Sequence, residues 1–111
     1  MERYLIYLTN ALNTNLETLV WEGYCLKSID ISKNSKLKYL NLALHPITSL
    51  NTTNNPELEY IDIRGTKVES LDFSNNPLLE HVSAQFCNIS KVDISKCTKL
   101  KYIDLGHNNL N

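Results

Sequence analysis

The sequence predicts a mainly β solenoid of about five 21-residue coils, with two short parallel strands per coil and little or no helix. Three observations predict it. Apolar residues recur at a fixed spacing of 21. A finer L-x-x-L-x-L-x-x-N pattern recurs in both halves of each period. Within each half, apolar and polar residues alternate, which is the two-residue periodicity of a strand.

Four stretches align without gaps. Ser28 opens SIDISKNSKLKYLNLALHPIT, Ser49 opens SLNTTNNPELEYIDIRGTKVE, Ser70 opens SLDFSNNPLLEHVSAQFCNIS, and Lys91 opens KVDISKCTKLKYIDLGHNNLN. The next residues, Ile29, Leu50, Leu71 and Val92, mark the period, and one step back lies Leu8 in a degenerate copy. The chain therefore divides into coils at about 7–27, 28–48, 49–69, 70–90 and 91–111, as a single unit over 1–111. The finer pattern starts at Leu5, Leu16, Leu26, Leu37, Ile47, Leu58, Val68, Leu79, Ile89, Leu100 and Leu110, with spacings that alternate between 11 and 10. Half-repeats this short leave no room for an ordinary helix of about 11–12 residues. Strands are expected at Leu40-Asn41-Leu42, Ile61-Asp62-Ile63, Leu71-Asp72-Phe73 and Val92-Asp93-Ile94. Asn55-Pro56 and Asn76-Pro77, one period apart, are turn signals.

The motif resembles leucine-rich repeats, and the 21-residue unit with its second L-D-I/F-S half is similar to the irregular bacterial class called IRREKO repeats. The resemblance covers residues 5–110. It implies a curved or twisted solenoid that recognises partners with one face, and it implies no chemistry. In such repeats the Asn bonds backbone groups inside the turn, and Cys is a tolerated substitute. Here the second half holds Asn13, Asn34, Asn55 and Asn76, then Cys97. The first half departs, with Tyr24, His45, Thr66 and Cys87 before Asn108. Cys87 and Cys97 are thus expected to face inward. Thr52 and Asn10 interrupt the apolar column and Ala84 is small, so looser packing is expected there.

The length fits one domain. A net charge of −1 argues against a basic nucleic-acid face and a polybasic membrane patch. The three cysteines, Cys25, Cys87 and Cys97, form neither a disulfide framework nor a C-x-x-C pair, and are expected to be reduced. The apolar run Tyr4–Leu8 is shorter than the roughly 7–15 residues of a signal-peptide core, and far too short to span a membrane. The expected location is cytoplasmic if Met1 is the native start; otherwise the location is open, with secretion or surface display among the alternatives.

The outward positions of the first half form three columns: Thr18, Tyr39, Tyr60, His81, Tyr102; Val20, Asn41, Asp62, Ser83, Asp104; and Glu22, Ala43, Arg64, Gln85, Gly106. The resemblance makes this the recognition face. Tyrosine offers large, rigid contact area with a polar tip; equally, the rings can stack on one another and tighten the sheet. Candidate binding residues are Tyr39, Asn41, Tyr60, Asp62, Arg64, His81, Gln85, Tyr102 and Asp104. In the second half, Asp30, Asn51, Asp72 and Asp93 form a polar column, without the glycine-rich turns of calcium-binding solenoids. His45, His81 and His107 fall in different columns and are read as lone surface histidines. Lys38 with Glu59, and Glu80 with Lys101, are expected to pair between coils.

No enzyme activity, metal or cofactor is expected: no nucleophile has a His and acid partner by motif, and no phosphate-cradling glycine loop exists. The expected role is binding a protein partner, with no nucleic acid and no membrane insertion. The alternatives are a self-associating structural element, joined end to end into a homo-oligomer, or a piece of a larger leucine-rich-repeat effector or surface protein. The last coil, with Leu100, Ile103 and Leu105, is expected to expose an apolar side and an unpaired strand edge.

Overall fold

The computed structural model describes residues 14–110. Leu5, Leu8, Asn10 and Asn13, and with them the opening half of the expected first coil, lie outside the described residues. Seven three-residue strands follow in order: β1 (Thr18–Val20), β2 (Tyr39–Asn41), β3 (Tyr60–Asp62), β4 (Ser70–Asp72), β5 (His81–Ser83), β6 (Lys91–Asp93) and β7 (Tyr102–Asp104). They make two parallel sheets, ordered β1-β2-β3-β5-β7 and β4-β6. Every pairing joins residues 21 apart, as in Tyr39↔Tyr60 and Leu71↔Val92. The described residues form a β-solenoid of about four turns, where about five coils were expected over the whole chain, and no helix occurs among them.

The register follows from burial. Leu40, Ile61 and Val82 occupy one strand position in successive coils, with Leu42, Ile63 and Ala84 two residues on, and all six are fully buried. A one-residue slip would turn the whole set outward. Each of the five larger side chains so buried contributes roughly 1.5–3 kcal/mol, and Ala84 less. Leu37, Ile47, Leu58, Val68, Leu79 and Ile89 close the same core from the turns. The backbone repeats the period. The Glu17 carbonyl accepts from the N–H groups of Lys38 and Tyr39, at 2.8 and 3.0 Å, and the carbonyls of Lys38, Glu59 and Glu80 do the same for the coil that follows each.

Among the described residues the second half forms strands in only two coils, where every coil was expected to have one. Asp30, Asn51, Asp72 and Asp93 each accept, through Oδ1, from the N–H two residues on, at 2.9–3.0 Å. That donor is thereby turned back on its own chain, so a strand cannot run past its third residue. The same bond ends strands of the larger sheet at Asn41, Asp62 and Asp104, so it limits strand length in both sheets and does not distinguish the coils that lack a second strand.

The turns carry two ladders. In the second-half turn, Asn55 Nδ2 donates to the carbonyls of Ile31 and Asn34, at 3.0 and 2.9 Å. Asn76 repeats this on Thr52 and Asn55, at 3.0 and 2.8 Å. Cys97 takes the same place with longer Sγ contacts to Phe73 and Asn76, at 3.7 and 3.6 Å. Thr52 belongs to this arrangement: it is buried, and its hydroxyl donates to Asn76 Oδ1 at 2.7 Å. It is a hydrogen-bonded member of the core, not the packing fault expected.

In the first-half turn, Asn108 donates from Nδ2 to the Ala84 carbonyl at 2.8 Å and accepts from the Ile89 N–H at 2.9 Å. His45 does both jobs at its own coil. Its Nε2 donates to the Trp21 carbonyl, and its Nδ1 accepts from the Leu26 N–H at 3.2 Å. These bonds define the neutral tautomer with its proton on Nε2. His45 is therefore fully buried, which corrects its reading as a surface histidine. Cys87, also buried, donates to the Ile63 carbonyl at 3.1 Å and lies 3.3 Å from the Thr66 hydroxyl.

One residue before this ladder the backbone has positive φ in every coil: Gly23 (156°), Leu44 (74°), Gly65 (72°), Phe86 (58°) and His107 (56°). For the non-glycine residues this conformation costs roughly 1–3 kcal/mol. At Gly65 glycine relieves this strain, and a Cβ there would also come within 2.6 Å of Leu44 Cδ2, so the Leu44 side chain would have to shift. At the last coil Leu100, Ile103 and Leu105 are only half-buried, Ile94 and Leu110 are exposed, and β7 pairs with β5 alone among the described residues.

Candidate functional site

Parallel strands 21 residues out of step hold equivalent side chains one above another. Tyr39, Tyr60, His81 and Tyr102 therefore stand in line on the outer face of the five-stranded sheet. Their rings stack with centroids 4.1, 4.4 and 4.4 Å apart and interplanar angles of 5°, 8° and 12°. Pairs of this kind contribute about 0.5–1.5 kcal/mol beyond the area they bury. Tyr60, enclosed between Tyr39 and His81, has its phenol pushed up to about 12, first by burial and then by a hydrogen bond with Tyr39. Tyr102 is the most open ring, 46% exposed, and its hydroxyl donates to Asp104 Oδ2 at 3.4 Å.

The next column differs from expectation. Asn41, Asp62 and Ser83 are buried, and Asp104 is half-buried. The rings wall them on one side and the third column on the other. Asn41 and Asp62 accept, through Oδ1, from the N–H groups of Ala43 and Arg64, at 3.0 and 3.2 Å, and Asp104 does so from Gly106 at 2.9 Å. These residues end their strands as well as lining the face. His81 Nε2 and the Ser83 hydroxyl are 2.9 Å apart.

The third column is mixed. Ala43 is fully buried, which corrects its outward assignment, whereas Glu22 and Arg64 are exposed. Glu22 accepts from Asn41 Nδ2 at 3.0 Å, and Arg64 Nε lies 3.6 Å from Asp62 Oδ2. Gln85 keeps a buried Oε1 with no hydrogen-bond partner among the described residues. Beside the rings, Lys101 pairs with Glu80 at 2.9 Å as expected, and Lys38 pairs with Glu17 at 3.3 Å rather than with Glu59. Seven of the nine candidate residues thus lie in the strands of one sheet, Asn41 and Asp62 mostly as its framework, and Arg64 and Gln85 lie two residues beyond β3 and β5.

Sequence reasoning missed a second ring pair. Phe86 and His107 stack at 4.3 Å and 5°, and Phe86 is 62% exposed. Gly23 and Gly65 in the same column were the available sign of a left-handed turn position. No disulfide joins the cysteines; Cys25 is exposed, and Cys87 and Cys97 are buried in the turns. Burial pushes the Cys97 thiol up, with the Asp93 carboxylate adding to it. No cluster of three His, Cys, Asp or Glu suited to a metal occurs among the described residues.

Two family models match the chain, both described as leucine-rich repeat, one over residues 33–50 and 96–111 and the other over 67–89. Among curated proteins no sequence matches. Among solved structures, the chain is similar to the functional domain of InlJ from Listeria monocytogenes, described as including a cysteine ladder. The identity is 24% and the TM-score 0.46, over 90% of this chain and 32% of that one, so the chain spans about a third of its length. With 21-residue parallel coils, an apolar core at the L-x-x-L-x-L positions and Asn ladders in the turns, the chain belongs to the leucine-rich-repeat proteins.

Proposed function

We propose that the chain is a non-enzymatic protein-binding module whose contact surface is the ring-lined face of the five-stranded sheet. The observation that carries this reading is the stack of Tyr39, Tyr60, His81 and Tyr102, four rings in one line on an outer surface. Stacking fixes their rotamers before any partner arrives, so little side-chain entropy remains to be lost on binding. The bonds of Asn41, Asp62 and Asp104 to the backbone hold the strands beneath. Arg64 and Glu22 supply a charged rim, the arrangement of an interface with aromatic anchors inside a polar border.

The test is capture of a partner by the immobilised chain, compared with a variant carrying Tyr39→Ser, Tyr60→Ser and Tyr102→Ser that retains its β-sheet circular dichroism. Loss of the partner with the folded variant is the expected result. Undiminished capture would refute the assignment of the face.

A second reading, end-to-end self-association, draws on the last coil, where Ile94 and Leu110 are exposed and β7 has one edge unpaired among the described residues. Such edges favour pairing with another chain. Light scattering over a range of concentrations separates the two readings, since only self-association raises the mass.

A further inference from the structure

The ring-lined face is acidic while the chain as a whole is nearly neutral, and we infer that the partner presents a lysine- and arginine-rich segment to it. This rests on the reading of that face as the contact surface.

Counting the three outward columns and the position just before each ring, the face holds Glu17, Glu22, Glu59, Asp62, Glu80 and Asp104 against Lys38, Arg64 and Lys101. Six carboxylates against three cations leave the face at −3; since the chain totals −1, the remainder carries +2. All three cations are already engaged within the face: Lys38 with Glu17, Arg64 with Asp62 and Lys101 with Glu80. Glu22, Glu59 and Asp104 form no ion pair among the described residues, and they lie along both flanks of the rings. The face therefore has negative charge to offer and no unengaged cation with which to meet an acidic partner.

The carboxylates outside ion pairs are spread over several coils. Glu22 and Asp104 accept neutral hydrogen bonds, but no paired cation offsets their charge. They therefore match an extended or grooved basic surface rather than a single ion. Charge placed this way acts chiefly on approach and register. The Debye length of about 8 Å at physiological salt lets neighbouring coils act together on an incoming chain. The rings then provide the apolar contact, and Tyr102, open beside Asp104, can take the plane of a guanidinium against it.

The experiment uses the full chain and two short labelled peptides, one rich in Lys and Arg and one rich in Glu, titrated by fluorescence anisotropy at low and physiological salt. The basic peptide is expected to bind, more weakly as salt rises, and the acidic one not to bind. Glu22→Gln, Glu59→Gln and Asp104→Asn together should weaken binding about tenfold, the size expected of three exposed ion pairs lost together. Asp104→Asn keeps the Oδ1 acceptor that Asn41 uses in the same place, so the fold should be retained. Asp30→Asn, Asp72→Asn and Asp93→Asn together, in the second-half column, are the charge-matched control and should change binding less than twofold. Equal loss in both variants, or equal binding of the acidic peptide, would overturn the inference. So would association of the chain with itself that Lys33→Gln, Lys36→Gln, Lys96→Gln and Lys99→Gln abolish, because the occupant would then be a second copy. If a captured partner is lost with the tyrosine variant but unaffected by the three carboxylate changes, the face stands and the basic partner fails. If the tyrosine variant captures normally, the underlying face is wrong.

Discussion

The two turn ladders occupy equivalent places in the coil and reach the same end by different chemistry. The second-half ladder is nearly uniform, with Asn34, Asn55 and Asn76 followed by Cys97. The first-half ladder uses His45, Thr66, Cys87 and Asn108. Yet His45 and Asn108 make the same two bonds, one to the carbonyl 24 residues back and one from the N–H 19 residues back. Each turn leaves a buried carbonyl on the preceding coil, and a buried carbonyl must have a donor. The requirement is for a donor of the right reach, and asparagine is one of several that meet it.

The largest effect should come from breaking the uniform ladder at its centre. Asn76→Ala removes two donors and the acceptor of the Thr52 hydroxyl, all buried, and should cost about 3–5 kcal/mol in urea unfolding. A cost near 1 kcal/mol would mean that the ladder is incidental to stability. Next, His45→Ala should destabilise by about 2–4 kcal/mol, and His45→Asn should recover at least about 1 kcal/mol of that, because asparagine has both required groups. If the two variants are equally unstable, the equivalence of the ladders is broken. Thr52→Val keeps the shape and leaves Asn76 Oδ1 buried without its donor, an expected loss of about 1–3 kcal/mol. In the opposite direction, Cys97→Asn should stabilise by about 0.5–1 kcal/mol, by replacing long thiol contacts with amide hydrogen bonds.

The smallest change lies outside both ladders. The Tyr60 phenol holds its proton more tightly folded than unfolded, since its pKa rises from 10.0 to about 12. The stability this contributes is complete below about pH 10 and is lost as pH rises toward about 12. Ultraviolet titration should show one tyrosine ionising late, and Tyr60→Phe should remove that step. A single transition near pH 10 for all tyrosines would contradict the enclosed ring.

The period, the strand register and the alignment of the ring column were legible in the sequence, because each coil states them again and errors cannot accumulate across 21-residue steps. Tyr39, Tyr60, His81 and Tyr102 share a face for that reason alone. What escaped depends on neighbours rather than on position in the repeat. Asn41 and Asp62 are buried because rings stand beside them, which alternation along one strand does not reveal. Thr52 looked like a gap in an apolar column because its partner, Asn76, is 24 residues away. His45 looked exposed because the donor role of its position was read as belonging to asparagine. Leu44, Phe86 and His107 adopt a conformation that only Gly23 and Gly65 advertise. The missing second-sheet strands at Ile29 and Leu50 leave no sign in the repeat, because Asp30, Asn51, Asp72 and Asp93 make the same side-chain bond to the backbone whether or not a strand forms.

The carbonyl of Glu17, doubly engaged by the coil that follows and repeated at Lys38, Glu59 and Glu80, has a mechanical consequence. Because these bonds join only adjacent coils, tension applied along the stack from its open edge meets the same fastening at each step. The chain should yield in instalments. Each coil that peels away frees 21 residues, or roughly 70 Å of slack at about 3.3–3.6 Å per residue, before the next coil bears the load. In an optical trap this would appear as evenly spaced rips rather than one collapse, so a module of this kind can lengthen under a pull while its remaining coils keep their ring-lined face intact.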